Sequence, residues 1–103
     1  MIIAGINGHA IAGGCILALC CDERIIMSEA SKIGLNETTF GILPPPFAAA
    51  LMVNTIGYRQ AERALSLGTM FKPEEAYNIG LVGKIYCLTL HPLHVYLSSC
   101  AHE

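Results

Sequence analysis

Charged side chains are scarce in this 103-residue chain: 14% of the residues are Asp, Glu, Lys or Arg, whereas 53% are hydrophobic. A typical soluble domain is about 25% charged. High hydrophobicity with a net charge of −2 excludes intrinsic disorder, which needs the opposite composition. Only six residues are basic, so the sequence lacks the basic patch of a nucleic-acid-binding protein and the polybasic segment of a membrane-surface protein.

Three long stretches carry no charged residue: 1–21, 38–58 and 85–102. A domain of this size buries only about 60–65% of its unfolded surface and needs polar residues to cover the rest. We therefore expect exposed apolar patches, or a chain that is part of a larger fold or of an oligomer.

The uncharged stretches do not predict membrane spans. Residues 1–21 are long enough to cross a bilayer but contain four glycines, and the prolines at 44–46 interrupt the second stretch. No basic region precedes an apolar run, and no Arg-rich amphipathic segment is present, so neither a secretory signal nor a transit peptide is predicted. A small membrane protein is the disfavoured alternative.

The cysteines argue against a disulfide framework, because there are five of them and no Cys-x-x-Cys pair. We interpret them as reduced, buried thiols of an intracellular protein. Cys87, His91, His94 and Cys100 match no usual zinc-ligand spacing, so no metal site is predicted.

Short apolar runs alternate with helical patterns, which is typical of an α/β fold with a mostly parallel sheet. Strands are predicted at residues 1–6, 24–27, 32–33 and 81–86, with a turn at Asn7-Gly8. Helices are predicted at 15–21, 47–54, 59–67 and 73–79, and residues 35–46 are predicted to form a loop. Gly68 and Gly80 supply C-terminal stops for the last two helices.

Ala12-Gly13-Gly14 leads into the first predicted helix. Glycine allows close approach of a ligand, and the first amides of a helix lack partners and lie at the positive end of its dipole. Such a turn can bind an anion or a developing oxyanion. It also fits a plain tight turn between strand and helix. The dinucleotide-binding pattern GxGxxG is absent.

Glu37 lies between Gly34 and Gly41 in a largely apolar stretch. Most glutamates are exposed surface carboxylates, and this one fits that interpretation too. The alternative is a base in an apolar pocket. Next to an oxyanion-stabilising helix end, one carboxylate is enough to abstract a proton beside a thioester carbonyl, while the amides stabilise the enolate.

Together these motifs resemble the crotonase (enoyl-CoA hydratase/isomerase) superfamily. The resemblance rests on "GING" at 5–8, "AGGC" at 12–15 and "IGLNETTFGI" at 33–42, and it extends over residues 3–85. The last motif is similar to the mitochondrial 3,2-trans-enoyl-CoA isomerase branch. The resemblance implies a partial crotonase-like ββα core at residues 1–85, with a mostly parallel sheet and flanking helices, followed by a divergent tail at 86–103.

The resemblance also implies roles for individual residues. The Gly13 amide would be one of two oxyanion-hole donors, with Gly14 beside it against the substrate. Glu37 would remove a proton from C2 of the substrate and return it to C4.

Ile16 stands where the hydratases of this family carry a second glutamate that handles water. A hydratase needs two acid/base groups and a double-bond shift needs one, so Ile16, which would also contact substrate, favours isomerisation. Phe40 and Leu43, together with Leu51, would line the acyl pocket.

The implied protein is an enoyl-CoA isomerase of fatty acid β-oxidation in the mitochondrial matrix, a homotrimer at full length, that binds acyl-CoA and uses no cofactor besides this thioester substrate. In the family, a long segment ahead of Ile3 supplies the second oxyanion amide and most contacts to CoA. We therefore expect this chain alone to be weakly active or inactive. The alternatives are a non-catalytic fragment that binds full-length crotonase-fold subunits, and another crotonase-fold enzyme such as a hydratase.

Overall fold

The computed structural model describes residues 1–91 and 94–99, with side chains as far as Tyr86. Its strands are β1 (Ile3–Ile6), β2 (Ala10–Ile11), β3 (Glu23–Ile26), β4 (Ile33–Gly34), β5 (Lys84–His91) and β6 (His94–Ser99). Its helices are α1 (Gly13–Leu19), α2 (Pro46–Ile56), α3 (Tyr58–Leu67) and α4 (Pro73–Asn78), with a 3₁₀ helix at Glu37–Phe40.

The strands form two sheets. The larger has the order β1-β3-β5-β6, in which β1, β3 and β5 are parallel and β6 is antiparallel to β5. The smaller is the parallel pair β2 and β4. The predicted α/β class with a mostly parallel sheet is thus confirmed. The antiparallel β5–β6 pair was not predicted, because the sequence of the tail matched no recognised pattern.

Helix α1 ends where the sequence becomes charged. The Arg24 guanidinium donates to the carbonyl oxygens of Cys21 (2.9 Å) and Ala18 (3.4 Å), which satisfies acceptors that a helix end leaves free. Its Nε donates to the Leu81 carbonyl across 2.7 Å. One side chain therefore ties the end of α1 to the segment ahead of β5.

The amphipathic pattern of α3 buries Ala61 and Ala64, and Gly68 ends the helix in a left-handed conformation (φ 65°). Helix α4 begins with Pro73, and the Glu75 carboxylate accepts a hydrogen bond of 3.0 Å from the Lys72 amide. The end of α3 before Gly68 and the start of α4 at Pro73 agree with the predictions. The predicted loop at 35–46 needs correction, since it contains the 3₁₀ helix, and one short turn leaves no periodic signal in a sequence.

The core lies between the larger sheet and the helices. Its largest fully buried side chains include Ile26, Ile33, Leu35, Met52 and Leu81. The expected apolar patches are present too, because Leu17, Phe40 and Leu43 are 73%, 71% and 84% exposed. Among the described residues, no helix combines the length and hydropathy that a bilayer crossing requires.

Candidate functional site

The loop that enters α1 is strained. Ala12 adopts φ 52° and ψ −113°, a combination that side-chain-bearing residues rarely occupy, and such outliers are concentrated at functional sites. The Ala12 amide donates to the Gly34 carbonyl across 3.0 Å, and the Ala12 carbonyl accepts the first helical bond from Ile16 (2.9 Å). These bonds hold the start of α1 in place despite the strain.

Neither packing nor turn geometry accounts for the glycine pair that follows. A methyl group at Gly13 or Gly14 would meet no atom within 4 Å, and neither residue has a positive φ. Both are exposed. In the described part of the chain, no hydrogen bond engages the Gly13 amide. A donor with open space in front of it at a helix start is what an anionic ligand atom requires.

Glu37 begins the 3₁₀ helix that follows β4. Its Oε1 atom is buried and has no hydrogen-bond partner among the described residues. The backbone around it is well ordered: the Ile42 amide donates to the Glu37 carbonyl across 3.1 Å, and Gly41 closes the turn with φ 73°. A buried carboxylate oxygen without a partner is costly in free energy, so its retention points to a chemical task.

The Cys15 thiol is electrostatically coupled to this carboxylate. Burial raises the pKa of the Cys15 thiol from 9.0 to about 12, the negative charge of Glu37 acts in the same direction, and Arg24 and the Gly34 backbone oppose it. Cys15 is in the first turn of α1, two residues after Gly13, and is 0% exposed. The negative charge of Glu37 therefore acts on the first turn of α1.

Two strands bring these motifs together. Residues Ala10 and Ile11 of β2 pair with Ile33 and Gly34 of β4, so the residues before α1 and those before Glu37 run side by side. Strand β4 is held on its other side by Phe71, which exchanges two backbone hydrogen bonds with Ile33 (3.0 and 2.8 Å).

Gly34 fits tightly into this arrangement. A methyl group there would collide with the carbonyl oxygen of Thr69 and would lie 3.2 Å from Met70. Gly34 thus allows the close approach that fixes β4, three residues before Glu37.

We expect the Cys15 thiol to make stability depend on alkaline pH. The unfolded chain loses this proton near pH 9 and the folded chain retains it to about pH 12. The stabilisation is complete below pH 9 and is lost as pH rises to 12, because unfolding then releases a proton. Three pH units correspond to a fall of about 4 kcal/mol in the free energy of unfolding.

Urea unfolding under reducing conditions at pH 8 to 12, with Cys15→Ala as the control, measures this fall. Other titrating groups contribute equally to both chains, so the difference between the two curves isolates Cys15. Curves that stay parallel across this range would refute the assignment.

The other predicted substrate contacts lie on the elements that carry Gly13 and Glu37 or just after them. Ile16 is half-buried and packs against the core. Phe40 and Leu43 are exposed on the surface. Their place in an acyl pocket stays a prediction. The cysteines and histidines of the tail, for which no zinc site is predicted, lie outside the residues whose side chains are described.

A cavity of about 370 Å³ lies between β1 and α1, and Gly14 lines it. His9 and Cys21 are also in its wall. The Lys32 amide donates to His9 Nδ1 across 3.0 Å, so the neutral imidazole carries its proton on Nε2. The sequence alone did not single out His9. Its hydrogen-bond partner, Lys32, is 23 residues away and leaves no local pattern.

The chain is similar to a family of known proteins. The Enoyl-CoA hydratase/isomerase family model matches residues 1–100. Enoyl-CoA delta isomerase 1 from mouse is 49% identical over 86 residues, and that from rat is 54% identical; each match covers 82% of this chain and 30% or 29% of the relative. A crotonyl-CoA hydratase from Syntrophomonas wolfei is 39% identical over 84 residues, 82% of this chain and 32% of its own.

Solved structures agree. The human mitochondrial delta3-delta2-enoyl-CoA isomerase superposes with a TM-score of 0.77 at 47% identity, over 81% of this chain and 33% of that one. A Bacillus anthracis enoyl-CoA hydratase gives 0.76 at 37% identity, over 81% and 32%. The chain spans about 30% of the length of the mouse, rat and human isomerases that it matches.

Proposed function

Because the chain belongs to the enoyl-CoA hydratase/isomerase family, we propose that it carries the proton-transfer half of a site that shifts a 3-enoyl-CoA double bond to the 2-trans position. The observation that carries the proposal is the buried Oε1 of Glu37, which has no hydrogen-bond partner among the described residues. The pairing of β2 with β4 runs its segment beside the start of α1, where no described group engages the Gly13 amide.

The reaction needs one base and an oxyanion hole, to which this chain contributes one donor. Glu37 takes a proton from C2, which is acidified by the thioester, and the electron pair moves toward the carbonyl oxygen. The Gly13 amide donates to that oxygen while it is negatively charged. Glu37 then returns the proton to C4 as the double bond moves from C3–C4 to C2–C3. The thioester itself supplies the activation, so no cofactor takes part.

Ile16 supports isomerisation over hydration. Addition of water needs a second acid/base group to handle the water, and Ile16, one turn into α1, offers an apolar side chain there. Hydratases of the family are similar to this chain as well, at 39% and 38% identity, so hydration is the alternative within the family.

The remaining features of the proposal follow the relatives. The ligand is an acyl-CoA, and the compartment is the mitochondrial matrix. The word mitochondrial in the names of the mouse, rat and human relatives supports this compartment. The assembly of a full-length family member is a homotrimer. Residues 1–85 form the partial catalytic domain and 86–103 a divergent tail.

We expect weak turnover from the 103 residues alone. A full oxyanion hole has two donors, and this chain supplies one of them. Loss of one donor lowers turnover by about 100- to 1000-fold. Loss of contacts to CoA lowers it further, because binding energy from remote parts of the substrate positions the reacting carbon.

The test follows a 3-enoyl-CoA by NMR in the presence of the purified chain, with calorimetry of acyl-CoA binding in parallel. We expect binding and slow formation of the 2-trans-enoyl-CoA, without the 3-hydroxyacyl-CoA that hydration would give. Formation of 3-hydroxyacyl-CoA from the 2-enoyl thioester at the same rate would favour the hydratase alternative. Rates near those of a full-length isomerase would contradict the expected weakness.

A second function is favoured by the exposed apolar side chains Leu17, Phe40 and Leu43. A non-catalytic fragment that joins full-length crotonase-fold subunits would use such faces. Under this alternative, Glu37→Gln leaves the binding of a full-length subunit unchanged, whereas Leu43→Ser weakens it.

A further inference from the structure

We propose that Thr38 is a positioning residue for Glu37, and that it acts by fastening the 3₁₀ helix to the C-terminal end of α3. The inference rests on the proposed role of Glu37. The Thr38 hydroxyl donates to the carbonyl oxygen of Leu65 across 3.0 Å, and this bond is partly buried. The Leu65 carbonyl lies in the last turn of α3, where helical acceptors lack internal partners.

Gly68 brings the two elements into this contact. A methyl group at Gly68 would lie 2.7 Å from Thr39 Cγ2 and 2.8 Å from Thr38 Oγ1. Its left-handed φ of 65° disfavours other residues as well. The end of α3 can therefore touch the 3₁₀ helix only because this position has no side chain.

The anchor matters because, among the described residues, no hydrogen bond holds the Glu37 side chain. Its Oε1 has no hydrogen-bond partner in the described part of the chain, so the carboxylate is placed by its backbone. That backbone is a four-residue 3₁₀ helix, a geometry with weak internal hydrogen bonds. The Thr38–Leu65 bond is a long-range fixation, across 27 residues, of the residue next to Glu37.

The test compares three variants of the full chain. Thr38→Val keeps the shape of the side chain and removes the donor, and Thr38→Ser restores it. Thr55→Val is the matched control, because the Thr55 hydroxyl also donates to a helix carbonyl (Leu51, 2.7 Å) and is also partly buried, in α2. Thermal unfolding of all variants reports whether each one folds.

The first measurement is hydrogen exchange at the Ile42 amide, which bonds to the Glu37 carbonyl. We expect Thr38→Val to exchange about five-fold faster than wild type, the factor for losing one hydrogen bond, while Thr38→Ser and Thr55→Val stay near wild type. Equal exchange in Thr38→Val and Thr55→Val would overturn the proposal.

The second measurement is the rate of double-bond shift at saturating and at low thioester. A positioning role predicts a fall in kcat with little change in KM for Thr38→Val, and rescue by Thr38→Ser. Faster exchange at Ile42 with an unchanged rate would overturn the positioning role. If wild type itself forms no 2-enoyl product, the proposed function fails, and the exchange measurement alone decides whether Thr38 fixes the turn.

Discussion

Replacing Glu37 with glutamine is expected to lower the rate of double-bond shift by about 100- to 10,000-fold, the range that a positioned general base contributes. Glutamine has nearly the same shape, so the 3₁₀ helix and the backbone hydrogen bonds of β4 should be retained. Its amide cannot accept the C2 proton. Oε1, which is buried and has no hydrogen-bond partner among the described residues, is the oxygen expected to accept the proton.

Two measurements cover the expected range. Deuterium uptake at C2 of an acyl-CoA reports slow proton abstraction by the chain itself. For the full range, residues 3–85 are placed in the mouse delta isomerase in exchange for its matching segment, which provides the remainder of a full-length relative. Glu62→Gln, on the exposed face of α3, serves as the control. A loss below ten-fold for Glu37→Gln would show that another group moves the proton.

The second prediction with a large expected effect concerns the backbone N–H of Gly13. Replacing the amide that links Ala12 to Gly13 by an ester removes the N–H and leaves every side chain in place. We expect the isomerisation rate to fall by about 100- to 1000-fold, as it does when one oxyanion donor is lost. The effect on folding should be small, because no hydrogen bond within the described residues uses the Gly13 N–H. The Ala12 carbonyl remains as an ester carbonyl, a weaker acceptor for the Ile16 amide.

Chemical synthesis provides this variant, since Cys15 offers a junction for peptide ligation close to the ester. An ester at the amide of Gly8, in the exposed turn after β1, is the matched control. A proline at position 13 would be a poorer choice, because Ala12 at ψ −113° lies outside the region that a residue before proline accepts. Equal rates for the two esters would remove the Gly13 amide from the mechanism.

The sequence predicts those parts of the molecule that are encoded locally. Gly68 and Pro73 mark helix boundaries because their backbone preferences act within one turn. The Gly13-Gly14 and Glu37 motifs are likewise continuous and could be compared with a known family. The exposure of Phe40 and Leu43 could not be foreseen in this way, since an apolar residue carries the same signal whether it lines a pocket or faces solvent.

The contacts that bring the motifs together are not encoded locally. Strand β2 is only two residues long, and its pairing with β4 joins positions 23 residues apart. The Thr38–Leu65 bond spans 27 residues, and a threonine in this segment predicts no particular partner. Such pairings follow from the packing of whole elements, which the spacing of residue types does not report.

The burial of Cys15 protects its sulfur from alkylation by the proposed product. The proposed product, a 2-trans-enoyl thioester, is an electrophile that adds to thiolates at C3. A thiol with a pKa of about 12 is ionised in only about one molecule in 100,000 at pH 7. The charge of Glu37 contributes to this suppression, so the same carboxylate that would generate the electrophile also helps to keep the neighbouring sulfur from being alkylated by it.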